Sequence, residues 1–165
     1  MKEQVENLFN ECLLGASDED LKIIKQLLEG VQRKQNKENE SIIGGIFAMD
    51  REMEAGNLEI SIPISPVTHN SLEIVHGGVT ATLVDTAMGT LANMMLPEGY
   101  GAVTTNLNVH YLAPGVGERL SAHATIVHQG SKTIVVDGKV VSSEGKIVAH
   151  STGSFFIFKK QQETV

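Results

Sequence analysis

The chain has no tryptophan, a single cysteine, and aromatic residues at only 4% of its length. One cysteine, Cys12, excludes an internal disulfide framework and a cysteine-rich zinc module, and it fits a reducing compartment. Basic residues are in deficit too: 13 Lys and Arg stand against 20 Asp and Glu, a formal charge of −7 at pH 7. With no basic stripe to follow a phosphate backbone, nucleic-acid binding is not expected. Long apolar runs are missing. The opening stretch from Met1 to Leu14 carries acids where a secretion signal needs a basic flank, and no segment reaches the ~18 apolar residues of a membrane span. These absences predict a cytoplasmic protein with neither a membrane nor a nucleic acid as partner. What is present is ordinary for a globular fold: 41% hydrophobic residues in 165, room for one domain and a short extension.

Two periodicities divide the chain. Val5, Leu8, Phe9, Cys12 and Leu13 follow helical spacing, so a first amphipathic helix is expected with Cys12 on its buried stripe, an inert core thiol. Ser17-Asp18-Glu19-Asp20 resembles a capping box and opens a second helix carried by Leu21, Ile24, Leu27, Leu28 and Val31. Residues 1–40 hold six basic and nine acidic residues, which disfavours a DNA-binding helix pair. They are read as an N-terminal helical extension, followed by one domain over 41–160 and a polar tail over 161–165.

Beyond Ser41 the period changes. Leu58, Ile60, Ile62 and Ile64 alternate with polar residues, a strand with one wet face, and Pro63 suggests that it lies at a sheet edge. Further strands are expected over Gly44 to Glu52, Ala102 to Leu112, Arg119 to His128, Thr133 to Ser142 and Ile147 to Phe158. Glu54-Ala55-Gly56, Ala113-Pro114-Gly115, Gln129-Gly130 and Glu144-Gly145 punctuate them as turns, and their brevity implies antiparallel hairpins. Gly78 to Leu96 carries no charge except Asp85 and is apolar nearly all round, as a buried helix would be. One buried helix among antiparallel strands is an α+β layout.

Asp85 is the chemically informative residue, because a carboxylate in so apolar a helix is costly unless it is paired, hydrogen-bonded or protonated. It is either a tuned base or nucleophile, or an acid turned to a solvent gap or to a nearby threonine. His76-Gly77-Gly78 opens the same helix, where glycines leave backbone N–H groups open to a polarised oxygen. The six histidines, at 69, 76, 110, 123, 128 and 150, show no zinc-ligand spacing, so no metal is expected. No Gly-x-Ser-x-Gly elbow is present.

Asn70, His76-Gly77-Gly78 six residues on, and Leu83-Val84-Asp85 closing nine residues after His76 resemble the signature of the PaaI-like acyl-CoA thioesterases of the hotdog-fold superfamily. The likeness runs over about residues 41–159 and includes Asn108-Val109-His110-Tyr111-Leu112-Ala113-Pro114 and Gly153-Ser154-Phe155, while Glu73 stands where the family commonly has Gly. The resemblance implies a long central helix wrapped by an antiparallel sheet, and hydrolysis of acyl-CoA thioesters with no metal or organic cofactor, coenzyme A being part of the substrate. It implies that Asp85 is the catalytic carboxylate, activating water or attacking directly. It also implies that the Gly77 N–H, with His76 and Gly78 at the helix entrance, polarises the thioester carbonyl, that Asn70 helps to place the reacting groups, and that Thr104 supplies a supporting hydroxyl. Lys132 is the candidate partner of the coenzyme A phosphates by analogy. Eight residues separate Gly77 from Asp85, ~12 Å at about 1.5 Å per helical residue, so one carbonyl cannot touch both in one chain. If both act, the protein is a homodimer with composite sites, and pairing into a homotetramer is a further expectation. A non-catalytic acyl-CoA sensor and a hotdog enoyl-CoA hydratase using His76 are the alternatives.

Overall fold

A computed structural model describes residues 1–39, 41–54 and 57–161. The chain divides into two compact units, one of Met1–Ala48 with Ser65–Val67 and the other of Met49–Ile64 with Thr68–Val165.

In the first unit, α1 spans Lys2–Leu13, α2 Asp18–Gln35 and α3 Ile42–Ile46. The capping box at Ser17 forms: its hydroxyl oxygen accepts from the Asp20 N–H at 3.2 Å, and the Ser17 N–H donates to the Asp20 carboxylate at 2.9 Å. The Ser17 hydroxyl also donates to that carboxylate at 2.6 Å, and this bond, with the one from the Ser17 N–H, holds the Asp20 carboxyl below its ordinary value. Two expectations fail in this unit. Cys12 is exposed, since α1 buries none of its residues and so offers the stripe no interior. The strand expected from Gly44 is helical up to Ile46, because the Ser41 hydroxyl accepts the Gly44 N–H at 3.0 Å and starts a turn. Gly30 and Gly45 then let two backbones meet, and a Cβ on Gly30 would fall 2.7 Å from the Ile46 Cα. Arg33 and Gln26 close this contact by donating to the Gly45 and Ile46 carbonyls at 2.8 and 2.9 Å.

The second unit is one antiparallel sheet wrapped on one helix. Its strands are β1 (Asp50–Glu54), β2 (Asn57–Pro63), β3 (Tyr100–Tyr111), β4 (Arg119–Gln129), β5 (Thr133–Ser142) and β6 (Ile147–Lys159), in the order β1-β2-β4-β5-β6-β3. Helix α4, Gly77–Met94, lies against the inner face. Alternation along each strand sends Leu58, Ile62, Leu120, Ile134, Val136 and Phe155 inward, where they meet Leu83, Val84, Ala87 and Met88 of α4 in a fully buried core. Close approach of helix and sheet rests on Gly138, where a Cβ would lie 2.6 Å from Val84 and 2.8 Å from the Met88 sulfur.

Pro63 does not mark an edge: β2 lies between β1 and β4, and Pro63 is its last residue, beyond the point where Asp50 of β1 has paired with Ser61. A missing N–H there breaks no ladder. The true edges are β1 and β3. Strand β3 pairs with β6 alone, with a register shift between Thr104 and Asn106. The turn expected at Glu54-Ala55-Gly56 lies, in its last two residues, outside the described residues, as does the tail after Gln161. Among the described residues no helix is long and apolar enough to cross a membrane.

Candidate active site

The entrance to α4 is fixed by backbone bonds on both sides. The Val75 N–H donates to the Gly115 carbonyl at 3.0 Å and the His76 N–H to the Thr68 carbonyl at 2.8 Å. Before them, Asn70 to Ile74 form a tight loop in which the Asn70 side-chain oxygen accepts the Leu72 N–H at 2.8 Å. Asn70 also lines the neighbouring cavity. Glu73 closes the loop in the left-handed region, at φ 58°. A side chain there costs roughly 1 kcal/mol relative to Gly. Glu73→Gly is therefore expected to raise stability by about 0.5 kcal/mol once the greater freedom of the unfolded Gly chain is counted. An unchanged or lowered melting temperature would contradict this.

His76 caps the helix, its Nδ1 accepting the Gly78 N–H at 2.8 Å. An Nδ1 that accepts leaves Nε2 to carry the ring proton of the neutral imidazole. The Gly78 N–H is thereby engaged, and among the described residues the Gly77 N–H has no acceptor. It stands at the positive end of an 18-residue helix, where partial charge and free donors coincide. Tyr111, at the end of β3, completes this corner by donating its hydroxyl to the Gly77 carbonyl at 2.9 Å. Its ring lies 3.4 Å from where a Gly77 Cβ would be.

Two turns further along α4, Asp85 is half-buried and not enclosed. Asp85 and Asn93, two turns apart on α4, both meet β3. Thr104 of β3 donates its hydroxyl to Asp85 Oδ1 at 2.9 Å. Asn93 ties the same two elements, its side-chain oxygen accepting the Ala102 N–H at 2.9 Å. The carboxylate is thus oriented by a neutral hydroxyl, with Oδ2 left for another partner.

The residues expected from the sequence fall into two clusters and one outlier. Asn70, His76, Gly77 and Gly78 form the helix entrance. Asp85 and Thr104 lie together halfway along the helix. Lys132 is exposed in the turn between β4 and β5, its carbonyl accepting the Ile157 N–H at 2.8 Å. The two clusters are ~12 Å apart along α4 at about 1.5 Å per residue. Among the described residues no three His, Cys, Asp or Glu are grouped so as to hold a metal ion. Tyr111 and Thr80 were not singled out from the sequence. Tyr111 stood only as part of a longer matching stretch, and Thr80 looked like one more small residue of an apolar helix.

Beside the helix entrance lies a cavity of about 390 Å³, lined by Asn70, Ile74, Val75, Gly77, Thr80 and Tyr111 together with Leu112 to Gly115 and Val148. Its volume is within the usual range for small-molecule sites. An apolar pocket opening beside a free helix N-terminal N–H can hold an uncharged acyl group with its carbonyl oxygen on that donor.

Residues 72–149 match the family model for the Thioesterase superfamily. A Halobacterium salinarum protein named as an esterase is 41% identical over 93 residues, covering 52% of this chain and 61% of its own length. The acyl-coenzyme A thioesterase PaaI of Escherichia coli is 32% identical over 98 residues, covering 59% of this chain and 68% of that protein. The chain thus spans about two thirds of these curated relatives. Among solved structures, that of the BH2602 protein of Bacillus halodurans with CoA is similar at 41% identity and a TM-score of 0.84, covering 88% of this chain and 97% of that one.

Proposed function

This chain belongs to the thioesterase superfamily, as a PaaI-like acyl-CoA thioesterase of hotdog fold, and from that premise we propose that it hydrolyses acyl-CoA thioesters to free acid and coenzyme A. The activity of the E. coli relative and the CoA in the B. halodurans structure support the substrate class. The observation that carries the reading is the Asp85–Thr104 pair, a half-buried carboxylate held by one hydroxyl on a helix whose N-terminal Gly77 N–H is free.

The carbonyl oxygen accepts the Gly77 N–H, which stabilises the oxyanion that forms as the carbonyl is attacked. Asp85 takes a proton from a water molecule as that water adds to the carbonyl carbon. The tetrahedral intermediate then collapses, the carbon–sulfur bond breaks, and coenzyme A leaves as thiolate. Thioesters have weaker resonance than esters, so one donor and one carboxylate suffice without a Ser-His-Asp triad. Because a nucleophile must sit ~3–3.5 Å from its target, Asp85 and Gly77 of one chain cannot serve the same carbonyl. Asp85 acts instead on the substrate held by the Gly77 of a partner subunit.

The free edge of β3 supports that arrangement. The strand is 12 residues long, unpaired on one side, and exposes Val103 and Tyr111 at 50% and 54%. A long unprotected edge of this kind invites pairing with another strand. Antiparallel pairing of β3 with its own copy, centred near Leu107 and Asn108, sets Thr104 of one protomer across from Tyr111 of the other. Asp85 and Gly77, which these two residues touch, are then brought together twice, once at each end of the shared ladder. Light scattering is expected to give a dimer or a tetramer built from such dimers; an active monomer would overturn the composite site.

The first experiment is release of free thiol from a panel of aryl and straight-chain acyl-CoAs. Turnover supports the thioesterase; tight acyl-CoA binding without turnover would replace it with a sensor. We assign Lys132 to a phosphate of coenzyme A, a cation held away from the chemistry. Lys132→Ala should raise KM by about three- to tenfold and leave kcat within about twofold, as loss of uniform binding does. An unaltered KM would remove it from the site.

A further inference from the structure

The cavity beside the first turn of α4 is walled largely by apolar groups, among them Ile74, Val75, Leu112 and Val148, and Thr80 is one of the few polar residues in its lining. Thr80 is only 2% exposed, and among the described residues its hydroxyl has no hydrogen-bond partner. The two threonines that follow on the helix behave differently: Thr82 donates to the Gly78 carbonyl at 2.9 Å and Thr86 to the Thr82 carbonyl at 2.7 Å. Back-bonding of that kind is the ordinary fate of a threonine in a helix. The Thr80 hydroxyl opens instead to the cavity it lines, and an apolar occupant that shuts water out leaves it unpaired at a cost that valine would not incur.

Two other side-chain oxygens of the lining are occupied. The Tyr111 hydroxyl is spent on the Gly77 carbonyl, and the Asn70 side-chain oxygen on the Leu72 N–H. Thr80 lies three residues beyond Gly77, on the same side of the helix and about 4.5 Å further along its axis. An acyl group whose carbonyl oxygen rests on the Gly77 N–H and whose chain enters the cavity passes Thr80 at about its third carbon.

On the reading that this chain is an acyl-CoA thioesterase, we propose that the cavity holds the acyl group and that Thr80 selects acyl groups bearing a hydroxyl or oxo oxygen near the third carbon. The hydroxyl accepts from a substrate hydroxyl or donates to an oxo group, and either bond satisfies it. An unsubstituted chain of the same length fits the walls but leaves the Thr80 hydroxyl unpaired, and this difference is what the pocket discriminates.

The test compares kcat/KM for hexanoyl-CoA and 3-hydroxyhexanoyl-CoA by thiol release. The native protein is expected to favour the hydroxylated substrate by about five- to tenfold, the worth of one neutral hydrogen bond. Thr80→Val, equal in volume, should abolish the preference, and Thr80→Ser should keep it. Equal efficiency on the two substrates in the native protein, or a preference that survives Thr80→Val, would overturn the assignment. Calorimetric binding of the same pair to Asp85→Asn protein reports the discrimination without turnover. Absence of hydrolysis would therefore count against the thioesterase reading, while the binding ratio still decides the role of Thr80.

Discussion

Asp85→Asn is expected to lower kcat by about a thousandfold while the fold and the assembly state stay as they are. The substitution keeps the shape of the side chain, and its remaining carbonyl oxygen can still accept the Thr104 hydroxyl that now meets Oδ1 at 2.9 Å. What is lost is basicity alone. General-base removal is commonly worth 10²–10⁴ in rate, roughly, and nothing else in this corner can replace it. Thr104 is a neutral hydroxyl, and the His76 Nδ1 is engaged in capping the helix. The measurement is thiol release under saturating acyl-CoA, with light scattering on the same samples. A variant that retains a tenth or more of native turnover would remove Asp85 from the catalytic step.

Gly77→Pro is the second large effect, because it deletes one N–H at a place where an added Cβ meets only the Tyr111 side chain, at 3.4 Å. Position 77 is the first residue of α4, where the ring's fixed φ is already helical and proline is well tolerated. The preceding His76 has ψ 135°, the extended value that a residue before proline prefers. Loss of a single oxyanion donor costs about 10²–10³ in kcat. A composite site adds a sharper consequence. Asp85→Asn and Gly77→Pro chains, each nearly inactive alone, form a mixed dimer in which one site has the native Gly77 of the first chain and the native Asp85 of the second. Random reassociation should restore about a quarter of native activity, since half the dimers are mixed and each has one intact site of two. If both residues served one carbonyl within a chain, no recovery would be seen.

The helix–sheet frame was legible in the sequence because its signals are local. Alternation over Leu58 to Ile64 and the charge-poor run around Asp85 each report which face is buried, and burial is what sheet and helix share. The same locality misled at the N-terminal end. A stripe such as Val5, Leu8, Phe9 and Cys12 records an apolar face without saying what covers it, and Cys12 is exposed. Gly44-Gly45 read as a strand because a glycine pair carries no periodicity, whereas its conformation is decided by close approach to Gly30 across the turn. Pro63 suggested an edge since a missing N–H is readable but its place in the ladder is not. At the site, Asp85 stood out through the cost of its charge. Tyr111 and Thr80 escaped because neither signals itself locally: the partner of one is a carbonyl 34 positions away in sequence, and the hydroxyl of the other has none among the described residues.

The register shift between Thr104 and Asn106 sets a condition on the length of β3. Side chains on a strand alternate between its two faces, so residues seven apart point opposite ways. Thr104 and Tyr111 are seven apart and yet both reach α4. The one extra residue at the irregularity resets the parity, as a bulge does. A chain one residue shorter at Thr105 would keep every hydrophobic residue of the helix and most of the sheet, but it would turn either Thr104 or Tyr111 to the far face. In this strand an odd number separates a working site from a stable fold without one, and the count of residues between the two hydroxyls is as much a part of the site as their chemistry.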